Sequence, residues 1–129
     1  MITISDKLKD LFERPIVCAL ATVMPSGQPQ VTPVWWMYDG TYVIINSKRG
    51  RQKDRNMVRD AKVTILVIDP KDSGHWIELR GHILDITEEG ANDVIDKLSM
   101  RYEGHKFRSL ESGEVRVTYK IEVDKLNGE

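Results

Sequence analysis

The densest potential chemistry in this sequence lies in one stretch, Asn46-Ser47-Lys48-Arg49-Gly50-Arg51-Gln52-Lys53-Asp54-Arg55-Asn56. Between Lys48 and Arg59 stand six basic residues and one acid, Asp54, a local charge of +5. The whole chain has a formal charge of −1, so everything outside those twelve residues sums to −6. The stretch follows an apolar run, Thr41 to Ile45, that reads as a buried strand, and it opens a short helix ending near Asp60. Cations where a strand hands over to a helix suit an anion, because helix-terminal N–H groups and a flexible glycine add donors to the side-chain charge. A solvated basic helix face competes with that reading on charge alone.

On such a helix Arg51 and Arg55 share one face, while Lys53 and Asn56 share another that faces a groove beside the core. Met57 and Val58 are the apolar pair expected to anchor it, and Arg59 is expected on the surface. A second feature is Val31-Thr32-Pro33-Val34-Trp35-Trp36. Pro33 within a strand removes a ladder donor and marks an edge or a non-protein partner. Adjacent tryptophans point to opposite faces of a strand, so at most one fills the core. The other is left for an interface or a planar ligand. Together the two features suggest a planar heterocycle lying along a strand, with a phosphate tail at the helix.

Other chemistries find little support. His75, His82 and His105 lack metal spacing, so no metal site is expected. No nucleophile elbow, P-loop or dinucleotide fingerprint occurs. Cys18, the single cysteine, sits in a core strand and is expected to be an inert buried thiol. Tyr102 and His75 are the nearest to acid–base candidates, and both read better as structural, so no catalytic residue is assigned. The near-neutral charge and pI of about 6.3 argue against nucleic acid and membrane surfaces as partners. With no signal-peptide core and no membrane-length apolar run, a reducing cytoplasmic setting is expected.

The elements that must position these residues can be read in order. At 129 residues the chain is expected to form one domain, residues 1–129. Ser5 or Asp6 caps a short helix with Leu8, Leu11 and Phe12 on its inner face, and Pro15 stops it. Ile16–Met24 and Gln30–Tyr38 read as a hairpin around Pro25-Ser26-Gly27-Gln28, and Asp39-Gly40 leads into a third strand at Thr41–Ile45. After the basic helix come a strand at Lys62–Ile68, a loop from Asp69 to Gly74 and a long strand from His75 to Ile86. Gly81 within it marks a bulge or a close backbone approach. A second helix starts at Thr87–Gly90 and runs to about Tyr102, with Val94, Ile95 and Leu98 inward. A polar loop then spans Glu103 to Gly113. Glu114 to Val123 alternates, with Val115, Val117, Tyr119, Ile121 and Val123 inward and the other side solvated. Six antiparallel strands with two or three short helices make the chain mainly β, and a small barrel removes exposed edges better than an open sheet.

The residues from Ala19 to Gly104 resemble the pyridoxamine 5'-phosphate oxidase-like split β-barrel flavoproteins. The match is carried by Leu20 to Trp36, Asn46 to Asn56, Arg59-Asp60, Val63-Thr64 and Glu78-Leu79-Arg80-Gly81. It is closest to the branch of probable coenzyme F420-dependent enzymes. That resemblance implies a six-stranded, FMN-binding-like split barrel and a homodimer with two cofactor sites at the subunit interface. It implies that Val31, Thr32, Pro33, Val34 and Trp35 line the tricyclic ring. It places Ser47, Lys48, Arg49, Gly50, Arg51, Lys53 and Asn56 at the phosphate and ribityl tail, and brings Ile77, Glu78 and Leu79 in from the partner subunit.

Oxidases of pyridoxamine phosphate carry an Arg-x-Val-Leu-Leu-Lys segment where this chain reads Pro33 to Asp39. They also carry a C-terminal substrate segment that this chain stops short of. Both departures favour F420 over FMN and argue against vitamin B6 oxidation. The implied activity is a reductase passing a hydride from reduced F420 to a small conjugated acceptor. An FMN-binding oxidoreductase and a non-catalytic deazaflavin carrier stay open beside it.

Overall fold

The structure, a computed structural model, describes residues 2–129. A 3-10 turn at Asp6–Leu8 runs into α1 (Lys9–Glu13). The remaining elements are β1 (Cys18–Val23), β2 (Pro29–Val34), β3 (Met37–Tyr38), β4 (Val43–Lys48), α2 (Gln52–Arg59), β5 (Lys62–Asp69), β6 (Asp72–Thr87), α3 (Ala91–Glu103) and β7 (Arg116–Gly128). Seven strands, one more than the sequence suggests, form a single antiparallel sheet in the order β2-β1-β5-β6-β7-β4-β3.

The extra strand comes from a break. Gln30–Tyr38 reads as one strand, but the ladder with β1 stops at Val34, and Met37–Tyr38 pairs instead with β4 at the far end of the sheet. Trp36 turns inward at the break and is fully buried, with its indole N–H donating to the Ile16 carbonyl at 2.9 Å. The Tyr102 hydroxyl holds the interrupted backbone. It accepts from the Trp36 N–H at 3.2 Å and lies 2.9 Å and 3.1 Å from the Ile16 and Trp36 carbonyls, to which its proton is donated. The chain thus passes from one edge strand to the other without a hydrogen-bonded seam, and the barrel is split. Pro33 stands on β2, an edge strand, where proline is tolerated within a sheet.

Other boundaries move for local reasons. Thr41 lies in the turn because the Asp39 carboxylate accepts from the Thr41 and Tyr42 amides, so β4 starts at Val43 and carries on to Lys48. Ser47 and Lys48 are therefore strand residues. The loop expected from Asp69 to Gly74 shrinks to a two-residue turn at Pro70 and Lys71, because Asp69 pairs with Asp72 and Asp72 to Gly74 already belong to β6, with a register shift at Ile68 and Asp69. Gly81 sits beside a bulge, and a Cβ there would lie 2.2 Å from the Glu122 carbonyl oxygen.

The core joins both sheet ends and α1: Leu11, Cys18, Leu20, Trp36, Ile45, Met57, Ile65, Val67, Ile77, Leu79, Tyr119 and Ile121 are all buried. Each large aliphatic there contributes roughly 1.5–3 kcal/mol by leaving water. Val58, expected beside Met57, is instead 59% exposed, because consecutive residues on a helix diverge by about 100° and α2 turns only one edge inward. On β7, Val115 precedes the strand and is exposed, whereas Arg116 and Thr118 on the supposedly solvated side are buried. That side is covered by α3 and by the loop after it.

Candidate functional site

The basic stretch divides its charges once folded. Arg49 pairs with Asp54 at 3.1 Å and with Glu88 at 2.8 Å. The Asp54 carboxylate also accepts the Gly50 N–H at 3.0 Å and the Tyr119 hydroxyl, so it closes the entry to α2 from inside the barrel wall. Gly50 can make that turn because its φ of +93° costs a glycine little. Arg55 donates to the Gly50 carbonyl and to Gln52. Arg59 donates to the Val23 carbonyl and to Asn56. Neither Arg51, at the N-cap of α2, nor Lys53, two residues on, has a carboxylate partner among the described residues.

Both line a cleft of about 460 Å³ bounded by Val17, Pro33, Val34, Trp35, Asn46, Ser47, Ile95, Leu98, Phe107, Arg108 and Arg116. Lys53 is almost fully buried, and among the described residues its ammonium hydrogen-bonds only to the Thr32 hydroxyl, at 3.1 Å. Burial first, then the charges of Arg51 and Arg116, push its pKa below the ordinary lysine value. Burying an unpaired cation costs several kcal/mol, while one hydroxyl contact returns roughly 1 kcal/mol. Ser47 Oγ, on a residue 3% exposed, has no hydrogen-bond partner among the described residues. Such an orphan costs roughly 1–3 kcal/mol. An anion beside Lys53 and Ser47 resolves both deficits.

The apolar wall has its own support. The Trp35 ring stacks on Tyr102 with centroids 5.4 Å apart and planes 7° from parallel, and the Phe107 ring stands edge-on to it at 6.4 Å. Tyr102 is pinned by its bonds at the β2–β3 break, and burial raises its pKa, so it stays neutral and structural. Burial also pushes the Cys18 thiol up to about 12, which makes it inert as the sequence suggests. His75 stands away from the cleft, bonded to Asp10 at 2.9 Å and to the Glu129 carbonyl at 2.8 Å.

Of the residues anticipated from sequence, Pro33, Val34, Trp35, Ser47, Arg51 and Lys53 converge on this cleft. Thr32 adjoins it through Lys53, while Val31 is exposed on the sheet edge. Lys48, Arg49 and Gly50 are not among its lining residues. Asn56 is fully buried and spent elsewhere. Its amide donates to Thr22 at 3.0 Å and Gln30 at 3.3 Å, and its carbonyl oxygen accepts from Gln52 at 2.8 Å. It ties α2 to the β1–β2 hairpin. Ile77 and Leu79 are core residues, so only Glu78 of that trio is presented outward. It borders a second groove, of about 450 Å³, with Thr64, Leu66, Ile68 and Trp76 on the outer face of β5 and β6.

Sequence reading missed Asn46, Phe107, Arg108, Glu114 and Arg116. Arg108 and Arg116 share Glu114, with N–O distances of 2.8 Å and 2.9 Å. Those hydrogen bonds hold the Glu114 carboxyl at about 2, well below the usual range. The signal available was the Arg116–Thr118 alternation, which a single strand presents identically whether its polar side meets water or a cleft.

Comparison with known proteins bears on the fold that carries this cleft. The family model described as pyridoxamine 5'-phosphate oxidase matches residues 4–127. A solved F420 reductase is 31% identical, with a TM-score of 0.88, covering 96% of this chain and 98% of its own. A conserved hypothetical protein, Rv2991 of Mycobacterium tuberculosis, is 25% identical with a TM-score of 0.78, covering 98% of this chain and 85% of its own. The protein described as a putative pyridoxamine 5'-phosphate oxidase of Listeria innocua shares the fold at 19% identity and a TM-score of 0.73, with 95% of each chain covered. No curated protein matches the sequence. A split antiparallel barrel matched over nearly its whole length makes this chain a member of the pyridoxamine 5'-phosphate oxidase family.

Proposed function

We propose that the cleft binds coenzyme F420 and that the protein is a reductase of small conjugated organic acceptors. The observation that carries this reading is the pair of cations lacking counter-ions, Arg51 and Lys53, in a cleft also walled by Pro33, Val34 and Trp35. A phosphate-bearing tail supplies the missing anion, and a planar ring suits the apolar strand and its tryptophan. The 31% identity to an F420 reductase supports the choice of deazaflavin. The F420 tail, with its phosphate and glutamates, matches an excess of cations better than the single phosphate of FMN does.

In this reading Lys53 and Arg51 hold the tail, and Ser47 Oγ donates to it. Pro33, Val34 and Trp35 exclude water from one side of the ring, with Tyr102 fixing the tryptophan in place. The chemistry the cofactor supplies when bound is two-electron hydride donation, so the protein needs no nucleophile. The fixed positive charge near the site favours an anionic reduced ring.

Titration of the purified protein with F420 and with FMN, followed by fluorescence quenching, tests the cofactor. Binding of FMN with no response to F420 would make it an FMN oxidoreductase instead. A panel of acceptors with reduced F420 then tests turnover, and failure on every acceptor would leave a carrier. We further propose a homodimer joined through the outer β5–β6 groove that Glu78 and Trp76 border. Light scattering of a dimer that Ile68→Asp converts to monomer is the expected result, and a wild-type monomer would refute it.

A further inference from the structure

We propose that Arg116 is a further anion-binding residue of the cleft and that Glu114 is its positioning residue. The inference rests on the reading of the cleft as a site for a phosphate-bearing cofactor, and it adds a second wall to that site.

Arg116 opens β7, paired across the ladder with Lys48. It is 6% exposed yet lines the cleft, an unusual place for a guanidinium. Two of its three nitrogens are fixed: Nε donates to Asn46 Oδ1 at 3.0 Å, and Nη1 donates to Glu114 at 2.9 Å. Nη2 has no hydrogen-bond partner among the described residues. The Asn46 amide is in turn held by the Ala91 carbonyl at 2.9 Å, so the fork is braced from α3 as well as from β7. The Phe107 ring lies beneath the guanidinium, 5.0 Å from it. A cation braced on two nitrogens and stacked on a third side is held in one orientation, with its remaining donor left for a ligand.

The charge balance points the same way. Glu114 is shared by Arg108 and Arg116, and since Arg108 also has Glu111 at 3.8 Å, Arg116 holds only a share of one carboxylate among the described residues. Burial lowers the Arg116 pKa and its own carboxylate only partly offsets this, and its charge is also felt at Lys53. Lys53, Arg116 and the orphan Ser47 Oγ therefore converge from α2, β7 and β4, three different elements, on one cleft. An anion of more than one charge, such as a phosphodiester with an attached carboxylate or a diphosphate, suits three convergent donors.

The test compares each cofactor with its phosphate-free riboside: FMN with riboflavin, and F420 with its deazaflavin riboside. Arg116→Met keeps the buried volume and removes the donor, and Arg116→Lys keeps the charge and removes the fork. The expected result is loss of about tenfold or more in affinity for the phosphate-bearing form with Arg116→Met. Arg116→Lys is expected to lose less, with riboside affinity unchanged in both. Glu114→Gln should show the same phosphate-specific loss, smaller in size. Tighter anion binding by Glu114→Gln would instead make the carboxylate a mere counter-charge and overturn its positioning role. Equal losses for phosphate and riboside forms, or no loss in either Arg116 variant, would overturn the proposal for Arg116. Should the wild type bind neither cofactor, the cofactor reading fails on its own. Calorimetry with inorganic tripolyphosphate then decides: binding that Arg116→Met abolishes supports the anion site, and absence of binding refutes it.

Discussion

At the level of single residues, Lys53 sets the cost of a buried cation against the binding role proposed for it. Its pKa is depressed from 10.5 by burial, then by Arg51 and Arg116. A cation depressed in the folded state costs stability at neutral pH, and that cost fades as pH climbs toward the unfolded value. Lys53→Met, which keeps the apolar stem, is therefore expected to melt at a higher temperature than the wild type near neutrality. The gap should close under alkaline conditions, as scanning calorimetry can follow. The same variant is expected to lose roughly 1–3 kcal/mol of cofactor affinity. Asn56 behaves in the opposite way. Its amide satisfies Thr22 and Gln30 inside the wall, so Asn56→Ala should cost roughly 1–3 kcal/mol in denaturant unfolding, with riboside binding intact. On a helix, the spacing that groups Lys53 with Asn56 says that they share a side. It does not say that the side ends half in a cleft and half against a hairpin, which is set by β1 and β2.

At the scale of elements, β6 and β7 form the long spine, and their crossing at Gly81 leaves no room for a side chain. Gly81→Ala should destabilise by at least about 2 kcal/mol, because the clash is with a backbone carbonyl that cannot rotate away. The chain end is clasped beside it. The Glu129 and Trp76 backbones exchange two hydrogen bonds, and His75 bridges Asp10 and the Glu129 carbonyl. The bond to Asp10 raises the His75 pKa above 6.5, so this contribution is full below 6.5 and is lost as pH rises through the folded value. The same bond lowers the Asp10 pKa below 3.8, so that part is lost only as pH falls further. Thermal melts on both sides of pH 6.5 should show the wild type losing more on alkalinisation than His75→Ala does.

The elements were legible in the sequence where periodicity is local. Gly81 as a close approach, Pro33 as an edge marker, the hairpin at Asp39-Gly40 and the inward Val117, Tyr119 and Ile121 all stand where the pattern puts them. The break at Trp35-Trp36 was not legible. Both residues favour strands, and what bends the chain is Tyr102, 66 residues away, receiving the Trp36 amide. Arg116 was hidden for the same reason. Its burial comes from α3 and the Phe107 loop, contacts no single-strand pattern contains.

For the whole molecule, the split is what opens the cleft of the proposed site. A barrel sealed by hydrogen bonds between β2 and β3 would leave no gap for α2 and β7 to line with cations and β4 with Asn46 and Ser47. Family membership accounts for the barrel, while the residues around the gap decide what fills it. The most direct measurement is a fluorescence titration of the wild type and Lys53→Ala with F420 and with FMN. Saturable quenching by F420 that Lys53→Ala weakens about tenfold or more is the result this account predicts. Saturation by FMN alone, or F420 binding indifferent to Lys53, would contradict it.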